Sequence, residues 1–111
     1  MMYEYHEIER LTLKALTELI RSARGTCVTF SCKKLAKMAK LSTKPVTLTL
    51  VREVLEKLRE KGLISIYRAT SHGIKYIVTK DSPIWPLLKE DDPLDLKDLL
   101  DKIGDKHEEQ E

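Results

Sequence analysis

Cysteine is nearly absent from this 111-residue chain: Cys27 and Cys32 are the whole complement, too few for the disulfide framework of a small secreted domain. With His72 far along the chain, one Cys-x4-Cys pair falls short of a zinc set, and both thiols read as buried or idle, a bridge being the remaining alternative. Long apolar runs are missing too. The longest, such as Leu63–Ile66, break within a few residues, far below the ~20 that cross a membrane. Met1–Arg10 carries charges where a signal peptide has its apolar stretch, so a soluble, unexported, cytoplasmic protein with no membrane partner is expected. The four glycines build no phosphate-cradling loop, and the three histidines are scattered. No nucleophile stands at workable spacing from a base, so neither catalysis nor a cofactor nor a bound metal is expected. Asparagine is missing altogether, glutamine is confined to Gln110, and 34% of the residues are charged. That balance is thermophile-like, and some thermophile lineages keep intracellular disulfides.

What is plentiful is charge, unevenly distributed. Residues 1–89 hold 17 Lys and Arg against 8 Asp and Glu, net +9, whereas residues 90–111 hold 3 against 10, net −7. Between Glu18 and Glu53 there is no acidic residue, and a second acid-free stretch runs from Lys61 to Lys80. A solvated face ordinarily mixes both signs, so two long cationic segments point to a polyanionic partner.

Hydrophobic spacing organises the chain. Ile8, Leu11, Ala15, Leu16, Leu19 and Ile20 recur at helical intervals and predict an amphipathic helix over 8–24, ended by Gly25. Cys27–Phe30 is short and β-prone, and Ser31 can cap a brief second helix carrying Lys33, Lys34, Leu35, Ala36, Lys37, Met38 and Ala39. Lys40–Pro45 reads as a turn. Leu48, Val51, Leu55 and Leu58 then define a third helix ending at Gly62, braced by Arg52–Glu56 and Glu53–Lys57 pairs. Leu63–Arg68 and Ile74–Thr79 predict a β-hairpin joined through Ala69–Gly73. The chain divides into a body (1–80), a stiff Pro- and Trp-containing connector (81–92), an amphipathic helix (93–104) and an acidic, disordered end (105–111). That last helix is expected to be capped by Asp92, to carry Pro93 in its first turn and to be terminated by Gly104.

The order helix, strand, helix, turn, helix, hairpin resembles the winged helix-turn-helix superfamily, and it is similar to small archaeal winged-helix DNA-binding proteins. Leu35-Ala36 with Met38-Ala39 resembles that family's second helix, Leu41-Ser42 its turn, and Val51 through Leu55, Leu58 and Lys61-Gly62-Leu63-Ile64 its recognition helix running into the wing. The likeness covers roughly residues 8–79. It implies a mainly α fold with a small hairpin (α1-β1-α2-α3-β2-wing-β3) plus a C-terminal helix. The segment Leu41–Gly62 is several residues longer than in short-turn members, so either the turn loops out around Pro45 or the third helix starts early.

For function the resemblance implies binding of double-stranded DNA, by a transcription regulator or a nucleoid-associated architectural protein. The residues support that expectation separately. Lys33, Lys37 and Lys40 share one face of helix two, with Lys34 beside them, where they can meet phosphates. Thr43, Lys44, Thr47, Thr49 and Arg52 head the third helix with no acid among them, and Arg52 is the best base-reading candidate. Arg68, Ser71, His72 and Lys75 would ride on the wing. The stripe Leu96, Leu99, Leu100 and Ile103 has two readings: a homodimer that presents two recognition helices, which we favour, or packing on the first helix of its own body. The acidic end can also compete with DNA for the basic face. The rival to DNA binding is a protein-interaction module, an accessory subunit of a replication or transcription assembly docking through the acidic, leucine-striped C-terminal segment.

Overall fold

The computed structural model describes residues 4–93 and 95–108, with side chains as far as 104. Among the described residues there are five helices and a three-stranded antiparallel sheet, a mixed α/β architecture in which the expected order through β3 is found and β1 joins the hairpin as a third strand, so the fold is less purely α than expected. The helices are α1 (Tyr5–Ser22), α2 (Cys32–Met38), α3 (Pro45–Glu60), α4 (Ile84–Glu90) and α5 (Leu96–Glu108). The strands are β1 (Cys27–Ser31), β2 (Ser65–Thr70) and β3 (Gly73–Thr79), in spatial order β1-β3-β2.

Helix α1 is the hub. Ile8, Leu13, Leu16 and Ile20 are fully buried on one side of it, and it packs against each of the other four helices. The core continues through Leu35 and Ala36 of α2, Val51, Leu55 and Leu58 of α3, and Phe30, Tyr76 and Val78 of the sheet. Each of the larger of these side chains contributes roughly 1.5–3 kcal/mol by leaving water. Among the buried polar residues, Thr12 is wholly enclosed and its hydroxyl finds no partner among the described residues. Thr12→Val keeps the shape and removes the unpaired group, so we expect unfolding free energy to rise by about 1 kcal/mol. A urea midpoint moving upward at constant slope would show it; a midpoint moving downward would contradict it.

Two chain reversals set the direction of α3. At the end of α2, Lys40 N–H donates to Lys37 O and Leu41 N–H to Ala36 O, a double clasp that requires the left-handed conformation Lys40 adopts (φ 60°). At the end of α3, Gly62 N–H donates to Arg59 O and Leu63 N–H to Leu58 O, with Gly62 at φ 75°. Glycine adopts that conformation freely, whereas lysine is strained there by about 1–2 kcal/mol. Lys40→Gly should therefore stabilise the fold by roughly 0.5–1 kcal/mol, after allowing for the extra freedom glycine gains when unfolded. Thermal unfolding of the variant tests this, and a lowered midpoint would refute it. The long Leu41–Gly62 segment is also resolved: residues up to Lys44 form the turn, and the helix begins at Pro45, whose missing N–H costs nothing in a first turn.

The C-terminal third departs from expectation. Residues 84–90 are helical rather than a stiff connector, because Pro86 falls in the first turn, where N–H groups have no partner inside the helix. Ser82 prepares that turn, its hydroxyl donating to Leu63 O (2.6 Å) and accepting from Ile84 N–H (3.3 Å). Trp85 is tucked against the body, 7% exposed. Arg21 is lost to the cationic surface: it donates to Leu88 O and Asp91 O and pairs with Asp92, fastening the end of α4 to α1.

Helix α5 begins at Leu96, not near Pro93. Its cap is Asp95, which accepts from Asp98 N–H at 2.8 Å, while the buried Glu9 of α1 accepts from Leu96 N–H at 2.5 Å. Asp92 is instead engaged with Arg21. Gly104 does not end α5, which runs on to Glu108, so residues 105–108, expected to be disordered, are helical; residues 109–111 lie outside the described part. Leu96 and Leu99 are buried within their own chain, and Leu100 and Ile103 lie half-buried against the same core. The favoured assignment of this stripe to a dimer seam is thereby corrected for Leu96 and Leu99. Glu9 anchors the helix close enough to α1 for the stripe to be spent there.

Candidate functional site

The sheet and α3 meet across a groove of about 570 Å³. Its walls are Ser31, Cys32 and Lys33 at the start of α2, Pro45, Leu48, Thr49 and Arg52 along the front of α3, and Thr70, His72, Gly73, Ile74 and Lys75 at the hairpin tip. The tip is a two-residue turn, Ser71-His72, tighter than the expected Ala69–Gly73 link, because Thr70 already pairs with Gly73. The Thr70 hydroxyl accepts from His72 N–H at 3.1 Å and holds the turn in shape. Gly73 takes φ 132°, a conformation a side chain would strain.

Two smaller depressions flank this groove and share walls with it. Ser31 and Lys33 continue into one with Lys34, Lys37 and Met38, and Thr70, Gly73 and Lys75 continue into another with Tyr67 and Arg68. No acidic side chain lines any of the three. Among the described residues, Lys33, Lys34, Lys37, Arg52, Arg68 and Lys75 have no carboxylate within ion-pair distance. Their charges therefore stay available to something outside the chain.

Arg52 owes that freedom to a rearrangement of the anticipated helix pairs. Glu56 does not bond Arg52; it is gripped by Arg59, whose Nε and Nη2 reach both carboxylate oxygens at 2.8–3.1 Å. The Tyr76 hydroxyl donates to the same carboxylate at 2.8 Å, tying β3 to α3. The Arg59 hydrogen bonds hold the Glu56 carboxyl below its ordinary range, and burial with the Glu56 bond pushes the Tyr76 phenol well above its own. Lys57, meanwhile, does not bond Glu53 but lies over the Tyr5 ring, 4.7 Å from its centre. Arg59 holds the carboxylate through two nitrogens of its guanidinium fork, a charge-assisted arrangement that leaves Arg52 without that partner.

Of the sequence-predicted contact residues, Lys33, Lys34, Lys37, Thr49, Arg52, Arg68, His72 and Lys75 line this connected surface. Lys40, Thr43, Lys44 and Ser71 are exposed but line none of its hollows. Thr47 is a correction: it is 8% exposed and belongs to the buried side of α3, so it cannot reach a groove. Thr49 is exposed, though its hydroxyl donates back to Pro45 O at 2.8 Å. Sequence reasoning missed Ser31, Thr70 and Tyr67. An aromatic beside Arg68 in an acid-free strand was the available signal for Tyr67, but strand aromatics ordinarily point inward.

Both cysteines are free; Cys27 is exposed rather than buried, and Cys32, half-buried at the groove wall, has a thiol pushed up by burial. A protonated thiol is a poor nucleophile and ligand. Among the described residues no three His, Cys, Asp or Glu side chains gather into a metal site, and no helix is long and apolar enough to cross a membrane. Compared with protein-family models, curated proteins and solved structures, the chain matches none.

Proposed function

We propose that this protein binds double-stranded DNA as a winged helix-turn-helix, serving as a transcription regulator or a nucleoid-associated architectural protein. The order α1-β1-α2-α3-β2-β3, with β1 completing the sheet beside β3, supports that reading of the fold. The observation that carries the function is the continuous, acid-free surface on which α2, the front of α3 and the hairpin tip meet. Lys33, Lys34 and Lys37 anchor phosphates as α2 crosses the backbone. The front of α3 enters the major groove with Arg52 and Thr49, and His72, Lys75 and Arg68 on the hairpin reach the flanking backbone.

The interaction-module alternative has less support, because Leu96 and Leu99, two of the four residues of its docking stripe, are core residues. A salt titration of duplex binding tests the proposal. Log affinity should fall linearly with log salt, with a slope of about −0.9 for each phosphate neutralised. Binding that ignores salt, or no binding at low salt, would overturn it.

A further inference from the structure

We propose that the flank of the hairpin at Tyr67, Arg68 and Lys75 is a subsite for one unpaired nucleobase, so that the protein prefers duplex carrying a single-stranded extension to fully paired duplex. This inference rests on the duplex-binding reading above.

Strand β2 is a sheet edge, and all six of its residues are exposed. Its pairing with β3 slips in the middle: Ile66 stands opposite Tyr76 and Arg68 opposite Lys75, which leaves Tyr67 without a cross-strand partner. Such a bulge frees a side chain from the alternation of the sheet and re-aims it. Tyr67 is 55% exposed, one of only three large hydrophobic residues so placed among the described residues. The Arg68 guanidinium lies 6.0 Å from its centre.

Around this ring is a depression of about 430 Å³, closed by Thr70, Gly73 and Lys75. Its chemistry is a π-face for stacking, flanked by two cations placed opposite each other across the strands, where a phosphate would lie. Charge complementarity selects a nucleotide over an apolar partner, since no acid occurs from Lys61 to Lys80. The depression also shares Thr70, Gly73 and Lys75 with the groove assigned to duplex, so a strand leaving the duplex end reaches it without crossing repulsive charge. Stacking tolerates any base, so the preference is for an unpaired nucleotide as a class and not for a sequence.

The test compares three probes on the intact chain: blunt duplex, the same duplex with a short single-stranded extension, and that extension made abasic, with equal phosphates but nothing to stack. The wild-type protein should bind the base-bearing extension about tenfold more tightly than the abasic one. Tyr67→Phe should keep this discrimination, since the ring and not the hydroxyl stacks. Tyr67→Ala should lose it, and any loss on blunt duplex should be smaller than the loss on the base-bearing extension. Equal affinity of the wild type for the two extensions, discrimination surviving in Tyr67→Ala, or an equal loss on blunt duplex would each overturn the subsite. Discrimination lost while salt-dependent blunt binding persists counts against this inference alone; failure on blunt duplex counts against the reading beneath it.

Discussion

Reversing three charges together, Lys33→Glu, Lys37→Glu and Arg52→Glu, is expected to weaken duplex binding about a thousandfold at moderate salt. These side chains come from two helices, are exposed, and have no carboxylate within ion-pair distance among the described residues. A charge-assisted contact contributes roughly 1.5 kcal/mol or more, and three of them correspond to about three decades of affinity. The salt slope should flatten at the same time by about 1.8, the share of the two phosphates assigned to Lys33 and Lys37. Net charge alone does not produce this. Lys14→Glu, Lys80→Glu and Lys89→Glu change the charge equally but lie outside the three connected hollows. That control triple should leave the affinity within about tenfold of wild type, since only unspecific long-range attraction is lost. An equal loss in both triples, measured by fluorescence anisotropy, would show that the surface has been misassigned.

The largest effect on stability is expected at Tyr76. Its side chain is fully buried on the central strand, stacks with Phe30 at a centroid distance of 6.0 Å, and donates its hydroxyl to Glu56 of α3. Tyr76→Ala should cost about 3–5 kcal/mol by analogy with other buried aromatic truncations, a large share of the 5–15 kcal/mol that holds such domains together. The melting temperature should drop by at least about 12 °C. Tyr76→Phe keeps the stack and loses only the bond to a carboxylate that Arg59 still satisfies, so its cost should stay near 1–2 kcal/mol. If Tyr76→Phe proves as damaging as Tyr76→Ala, the bond rather than the packing is decisive, contrary to this expectation.

The same cluster sets a pH dependence. Arg59 holds the Glu56 carboxyl below its ordinary value of 4.5 in the folded state, so the folded chain binds that proton less readily than the unfolded one. The resulting stabilisation is complete above that ordinary value and is lost as pH falls through the lower, folded value. In Glu56→Gln this part of the acid-side slope should vanish. Because Tyr76 and Glu56 bridge the hairpin to α3, they also set the spacing between the two elements proposed to contact DNA.

Much of this molecule is written in local pattern. The three- and four-residue spacing from Ile8 to Ile20 and from Leu48 to Leu58 determined two helices and their buried faces, because a helix of 3.6 residues per turn brings those positions together whatever lies beyond. Ser31 determined the start of α2, accepting from Lys34 N–H, and Gly62 determined the end of α3, since each acts within one turn of chain. The acid-free segments were equally plain, and six of their cations, Lys33, Lys34, Lys37, Arg52, Arg68 and Lys75, line the connected hollows. Boundaries that depend on competition between neighbours were harder to read. Pro86 reads as a breaker until its position in the first turn of α4 is known, and Gly104 reads as a terminator until α5 is seen to continue through it.

Partners distant in sequence were decided by the tertiary structure. Glu56 had Arg52 four residues before it and Arg59 three after, and Tyr76 on the hairpin adds its bond on the side of the winning pair. Thr47 belongs to a stretch rich in hydroxyls and cations, yet its rotation about α3 turns it toward the core. The leucine stripe of α5 was compatible with a second copy or with α1, and the Glu9 carboxylate across from Leu96 N–H holds it to its own chain. Periodicity states which residues need burial or a bond; only the meeting of elements far apart in the chain states what supplies it.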